Sequence, residues 1–343
     1  MRSGKVLAYI RKIHLLRWIL GLCLVFLLML PLLNSFAVDD DLVTGSLLFS
    51  LTQMFMLVTL ASNWNLISGF TGYVDFGHIT FFGLGAYATG ILMSRAGWTF
   101  FPTLIAGAGL AAIFAVLIGR ATMHLKGPYF SIAMLGTFTA LRELVRLARP
   151  FTGGGPGLTL PPYLNRPLFY YITLFQAVVV IAFIWWIRRT EFGATLVAIR
   201  EDEIGAETRG INTTLHKVVA FSLAALSSGI VGGLWAYQNT FIDPDIVFLD
   251  SRTIEIAMMT MLGGLGTVAG PAIGAMLIYW LRDILWANFL QYHLIMEGIL
   301  LIIVVLFVPQ GIMGTLGDHS GTTMRRLWRR WFGAAESEMD NKS

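Results

Sequence analysis

The chain is a succession of apolar blocks, most of them about as long as a helix needs to cross a bilayer. Roughly 20 apolar residues span the hydrocarbon core, and such blocks cover about 15–36, 42–62, 78–94, 101–122, 128–147, 168–187, 217–238, 253–265, 270–287 and 293–308. Only 13% of the 343 residues are charged and 56% are hydrophobic. A soluble domain carries about a quarter charged residues, so this chain has too little polar side chain to cover a water-facing surface. The expected fold is all-α: a polytopic transmembrane bundle of about ten spans, some broken by glycine, with one structured cytoplasmic loop. Its parts are a basic N-terminus at 1–14, a membrane domain at 15–314 with that loop at 188–216, and a basic tail at 315–343.

The first block follows Arg2, Lys5, Arg11, Lys12 and Arg17, as a signal peptide would. It is too long for one, and no small-residue cleavage site follows it, so a retained span is expected. The single cysteine, Cys23, lies in this block and has no internal partner.

Cytoplasmic loops carry an excess of Lys and Arg. This rule puts Arg120, His124 and Lys126 inside, together with Arg188, Arg189, Arg200, Arg209 and Lys217 and the tail arginines 325, 326, 329 and 330. Asp39 to Asp41, the loop Thr152–Gly157 and Asp243, Asp245 and Asp250 fall outside. Ten crossings satisfy this if 253–287 passes twice around Gly263-Gly264. Arg142, Arg146 and Arg149 break the rule by falling outside. Non-helical backbone at membrane depth is tolerated only where protein or a watery cavity satisfies it. Two glycine-rich breaks qualify: Ser68-Gly69-Phe70-Thr71-Gly72 with Gly77, and Gly263-Gly264-Leu265-Gly266 with Gly270-Pro271.

Catalytic chemistry finds little support. A P-loop needs Gly-x4-Gly-Lys-Ser/Thr, and Gly205 to Gly210 has the spacing but is followed by Ile211-Asn212. There is no HExxH, and the six histidines are dispersed. No metal cluster or nucleic-acid-binding pattern is present. Asp75, His78, Glu255 and Glu297 are the ionisable residues near membrane depth, where such groups are costly and often functional.

The most informative polar stretch is Glu191 to Asn212. Leu196, Val197, Ile199 and Ile204 interrupt its charges at roughly helical spacing. Asp202 and Glu203 suit a helix start, Gly210 a left-handed stop, and Asn212 the cap of the next span. Two short helices at the cytoplasmic face fit this pattern, and so does a simple amphipathic surface helix.

That loop resembles the cytoplasmic coupling segment of permeases in the branched-chain amino-acid ABC transporter family, the LivM-like group. Further stretches match in the same order over roughly 45–315. They are Asn65 to Gly72 with Gly77-His78 and Phe81 to Tyr87; Gly127-Pro128-Tyr129-Phe130 through Arg142-Glu143; Thr152-Gly153-Gly154 with Gly157-Leu158; Gly263 to Thr267 with Gly270-Pro271 and Gly274-Ala275; and Pro309 to Gly314. The early segment departs from the family pattern at Asp75, Ile79 and Thr80, where smaller or hydroxyl residues are expected. Sister groups carry urea, short-chain amides and other amino acids.

The resemblance implies an importer in the bacterial inner membrane, both termini cytoplasmic, with branched-chain or related amino acids as substrate. It implies a second permease subunit, two cytoplasmic ATPase subunits that use the ATP, and a periplasmic substrate-binding protein; this chain itself holds no cofactor and is not an enzyme. Arg200, Glu201, Asp202, Glu203, Ala206 and Gly210 are the expected ATPase-coupling residues. Gly69, Gly72, Gly77, His78, Gly263 and Gly264 are expected along the translocation pathway. Arg142, Arg146 and Arg149 are expected to dock the binding protein. A secondary transporter or channel would share the composition and the broken spans but need no ATPase.

Overall fold

The computed structural model describes residues 21–22, 24–35, 45–162, 165–288, 295, 298–299, 302 and 311–317. The basic N-terminus, Asp39 to Asp41, Glu297, Pro309-Gln310 and the tail arginines lie outside the described residues, as does most of the last expected span.

A 3-10 segment covers Leu30–Ser35. The helices that follow are α1 (Gly45–Thr71), α2 (Ile79–Ala96), α3 (Phe100–Thr122), α4 (Pro128–Leu147), α5 (Arg149–Thr152), α6 (Arg166–Ile187), α7 (Glu191–Glu201), α8 (Glu203–Thr208), α9 (Thr213–Asn239), α10 (Pro244–Val247), α11 (Asp250–Gly263), α12 (Gly270–Asn288) and α13 (Gly311–Gly317). By length and apolar content α1, α3, α6 and α9 can each cross a membrane. This supports a helical membrane protein; the count of ten spans is not established.

Helices begin where the sequence supplies caps and proline. Gly127 precedes Pro128 at the start of α4, and Asn165 accepts from the Leu168 amide at the start of α6, next to Pro167. The reading differs from the structure in two places. The early break starts later than expected: α1 stays helical through Ser68 and Gly69, and the chain leaves the helix at Gly72, whose φ of +78° suits glycine. The bundle also carries a two-residue antiparallel ribbon, β1 (Leu158–Thr159) with β2 (Phe241–Ile242). It ties the glycine-rich loop after α5 to the end of α9.

Small residues set the packing. A Cβ on Gly85 of α2 would run into the Gly229 carbonyl of α9, and one on Gly232 into the Phe82 carbonyl. Gly229 in turn faces Ala111 of α3, 2.8 Å from where its Cβ would sit. Glycine lets helix backbones touch in this way. α11 and α12 form an antiparallel hairpin by the same device: Gly263 abuts the Gly270 carbonyl and Gly274 the Met259 carbonyl. At 14 residues α11 is roughly 21 Å long, shorter than the hydrocarbon core.

Candidate functional site: a capped loop on two helix breaks

Local chemistry shapes the loop between α6 and α9. Thr190 caps α7 by accepting from the Gly193 amide. Asp202 ends α7 in extended backbone and caps α8, its Oδ1 accepting from the Gly205 amide at 3.0 Å. Gly210 follows α8 with φ +85°, and Asn212 caps α9 by accepting from the Leu215 amide. Leu196, Ile199 and Ala206 bury the inner face of this helical pair. Glu201, Asp202, Glu207, Arg209 and Gly210 are exposed, and so is Ile204 at 63%. Of the six expected coupling residues, then, Glu201, Asp202 and Gly210 face outward with part of Arg200, while Ala206 and Glu203 turn into their own chain.

Glu203 enters a network that sequence reasoning missed. Lys217, whose side chain is 1% exposed, donates to Glu203 Oε1 at 2.6 Å, the Tyr73 hydroxyl at 2.9 Å and the Met123 carbonyl at 2.6 Å. Tyr73 donates to Glu203 Oε2 at 2.5 Å, and the ammonium lies 4.2 Å from the Tyr73 ring centre. Burial pushes the Glu203 carboxyl up, but hydrogen bonds from Lys217 and Tyr73 and the charges of Lys217 and Lys126 outweigh it, leaving its pKa below the ordinary value. Burial, then Glu203, push Tyr73 the other way, well above its ordinary value. The clue in the sequence was a lysine directly before an apolar run, Lys217-Val218-Val219.

The same loop reaches both glycine-rich breaks. Arg200 donates from Nη1 to the Gly69 carbonyl at 3.0 Å, one of the orphan carbonyls at the end of α1. Its other nitrogens hold Glu201. Gly266, in the late break, leaves room for this guanidinium: a Cβ there would lie 2.6 Å from Nη1. Gly72 packs under the Arg200 stem. Asn65, one turn before Gly69 in α1, ties that helix to the late break, donating to the Thr267 carbonyl at 2.7 Å and accepting from the Gly266 amide at 2.8 Å. Gly264, with φ +129°, faces Met313 and Gly314 of α13.

Gly77 and His78 lie in a different setting. A Cβ on Gly77 would sit 2.5 Å from the Met134 carbonyl of α4. His78 Nδ1 meets Asp75 Oδ2 at 3.1 Å and Nε2 meets Ser228 Oγ at 2.9 Å, all three side chains being fully buried. Asn63 also donates to Ser228, and the Trp64 indole donates to the Asp75 carbonyl. An Asp–His–Ser order suggests nucleophilic chemistry, but no substrate reaches a serine with no exposed surface. The arrangement is a satisfied polar core that joins α1, α2 and α9.

At the opposite end of the bundle, Arg142 meets Asp250 at 3.5 Å, and Arg146 pairs with Glu143 at 3.1 Å and with Asp245. Arg149 is exposed. This end also holds a cavity of about 220 Å³ between α1, α2, α9, α11 and α12, bordered by Arg252, Glu255 and Arg282. Among the described residues no group of His, Cys, Asp and Glu is placed to hold a metal ion.

Comparison with known proteins bears on the family. The family model described as "Branched-chain amino acid transport system / permease component" matches residues 46–308. The high-affinity branched-chain amino acid transport system permease protein LivM of Salmonella typhimurium is 25% identical over 293 residues, covering 76% of this chain and 68% of the relative. Its namesake from Escherichia coli is 25% identical over 323 residues, 85% of this chain and 74% of the relative. The autoinducer 2 import system permease protein LsrC of Yersinia pestis is 26% identical over 286 residues, 76% and 77% of the two chains. No solved structure matches. With more than half its length matched by that model and a helical membrane architecture, the chain belongs to the branched-chain amino acid permease family.

Proposed function

We propose that this chain is the membrane-spanning subunit of an ATP-driven importer for branched-chain or related apolar amino acids. It works with a second permease subunit, two cytoplasmic ATPase subunits and an external substrate-binding protein. The observation that carries the reading is Arg200: one side chain of the exposed α7–α8 loop is bonded to the early break and packed against the late one. A secondary transporter would have no need for a partner-facing loop wired to its broken helices.

Nucleotide must favour one conformation strongly to drive alternating access. Moving a population from 1:99 to 99:1 takes roughly 5.5 kcal/mol of differential binding. The exposed face of α7–α8, with Glu201, Asp202, Ile204 and Gly210, is where the ATPase docks. Arg200 carries displacement to Gly69, Gly72 and the Gly263–Gly266 break, which act as the hinges of the pathway. Ala206 and Glu203 set the loop's stiffness from beneath. Gly77 and His78 hold the neighbouring core against which the hinges move. On the other face Arg149, beside the ion-paired Arg142 and Arg146, meets acidic residues of the binding protein.

The test is the charge-reversed variant Glu201→Lys with Asp202→Lys, expressed with its neighbours and purified from the native membrane. The ATPase is expected to be lost from the complex, and ATP-dependent uptake of labelled leucine with it. Retention of both would overturn the coupling role. Ion-driven uptake by the chain alone in ATP-free vesicles would overturn the importer reading.

A further inference from the structure

The cavity between α1, α2, α9, α11 and α12 combines charge and apolar surface. Its volume of about 220 Å³ is below the roughly 300–1,000 Å³ that holds drug-sized ligands and suits a molecule of amino-acid size. Met56, Leu57 and Leu60 of α1 form an apolar wall. Facing them, the Arg252 guanidinium lies 5.0 Å from the Phe82 ring centre and 5.1 Å from that of Trp235. Arg282 donates to Glu255 Oε1 at 2.5 Å.

Among the described residues the cavity is bordered by two guanidinium groups and one carboxylate, and that carboxylate is engaged by Arg282. The Arg252 guanidinium has no hydrogen-bonded partner among the described residues; the two aromatic rings and the nearby charge of Glu255 hold it. A guanidinium this enclosed is costly unless an anion meets it, and its planar fork suits a carboxylate. Cation–π attraction to the two rings holds it in place. Glu255 supplies negative charge within the same cavity.

We infer that this cavity is a binding site for an apolar α-amino acid, the substrate carboxylate meeting Arg252, its ammonium turned toward Glu255 and its side chain against Met56, Leu57 and Leu60. The inference rests on the importer reading for its place in transport, because the cavity lies at the end of the bundle away from α7–α8, where substrate would be delivered. Urea and short amides carry no anionic group to meet this guanidinium.

The test is equilibrium binding of labelled L-leucine to the purified transporter complex in nanodiscs, without nucleotide and without binding protein, whose own site would obscure the result. L-leucinamide, which lacks the carboxylate, is expected to compete about tenfold or more less well than leucine. Arg252→Gln should abolish binding, Arg252→Lys should retain part of it, and Leu57→Phe should shift preference from leucine toward valine. Absence of leucine binding, competition by leucinamide or acetamide equal to that of leucine, or undiminished binding by Arg252→Gln would overturn the site. Should Arg252→Gln fail to assemble, competition on the unaltered complex decides. ATP-driven uptake that is intact in Arg252→Gln overturns the cavity and leaves the importer standing. Leucine binding lost in that variant, with no ATP-driven uptake by the unaltered complex, has the opposite meaning.

Discussion

Lys217 and Glu203 form the most consequential residue pair outside the cavity. Their side chains are 1% and 15% exposed, and such a pair stabilises mainly by not being broken. Removing one partner of a buried pair typically costs about 3–5 kcal/mol, because the other charge is left uncompensated. Lys217→Met should therefore lower the thermal unfolding midpoint sharply, and Lys217→Met with Glu203→Gln should recover much of the loss. A double variant as unstable as the single one would show that the charges matter less than the hydrogen bonds to Tyr73 and Met123. The same pair gives a pH signature. Because the Glu203 pKa is lower in the folded chain than its ordinary 4.5, its contribution is complete above that value. As pH falls further, the unfolded chain takes up the proton first and the contribution is lost. Comparing unfolding midpoints of the native chain and Glu203→Gln across this range should show the extra slope only in the native chain.

Among the elements, α2, α3 and α9 form the tightest unit, because glycine is used where backbones meet. Gly85→Ala puts a methyl into the Gly229 carbonyl, so the helices must part or the chain misassembles. Gly136→Ala on α4 meets nothing within 4 Å and should leave yield and melting temperature unchanged or slightly raised, as alanine favours helix. Size-exclusion profiles in detergent distinguish the two cases. This scale also shows what could be read beforehand. The α7–α8 pair was legible because Asp202, Gly210 and Asn212 act on amides within three residues or on their own dihedrals. The long helices between 45 and 288 were legible from apolar blocks and their flanking glycines and prolines, whereas the short α5 and α10 were not. The Lys217 network was not, since Tyr73 lies 144 residues from Lys217 and no local pattern reports such a pairing. Nor was the inward turn of Ala206 and Glu203, which depends on the face α8 presents to α9. Nor does any local pattern single out Arg252, whose two neighbouring rings come from α2 and α9.

For the whole molecule, the loop with α7 and α8 and the loop with α5 and the β1–β2 ribbon occupy opposite ends of the bundle, at either end of α6. If basic residues mark the cytoplasmic side, a membrane-impermeant thiol reagent should label Gly155→Cys in intact cells. It should label Arg209→Cys only in inverted vesicles, with Cys23 replaced by serine in both. The reverse pattern would invert the topology and with it the assignment of the ATPase face. The bridge made by Asn65 has a consequence for biogenesis. Its carboxamide is completed by backbone at Gly266 and Thr267, 202 residues later for the Thr267 carbonyl. At roughly 5–20 residues per second the ribosome takes roughly 10 to 40 s to deliver that partner. Through that interval the inserted first half must shelter an amide whose native partners do not yet exist, so the nascent chain is a client for the insertion machinery until the late glycines arrive.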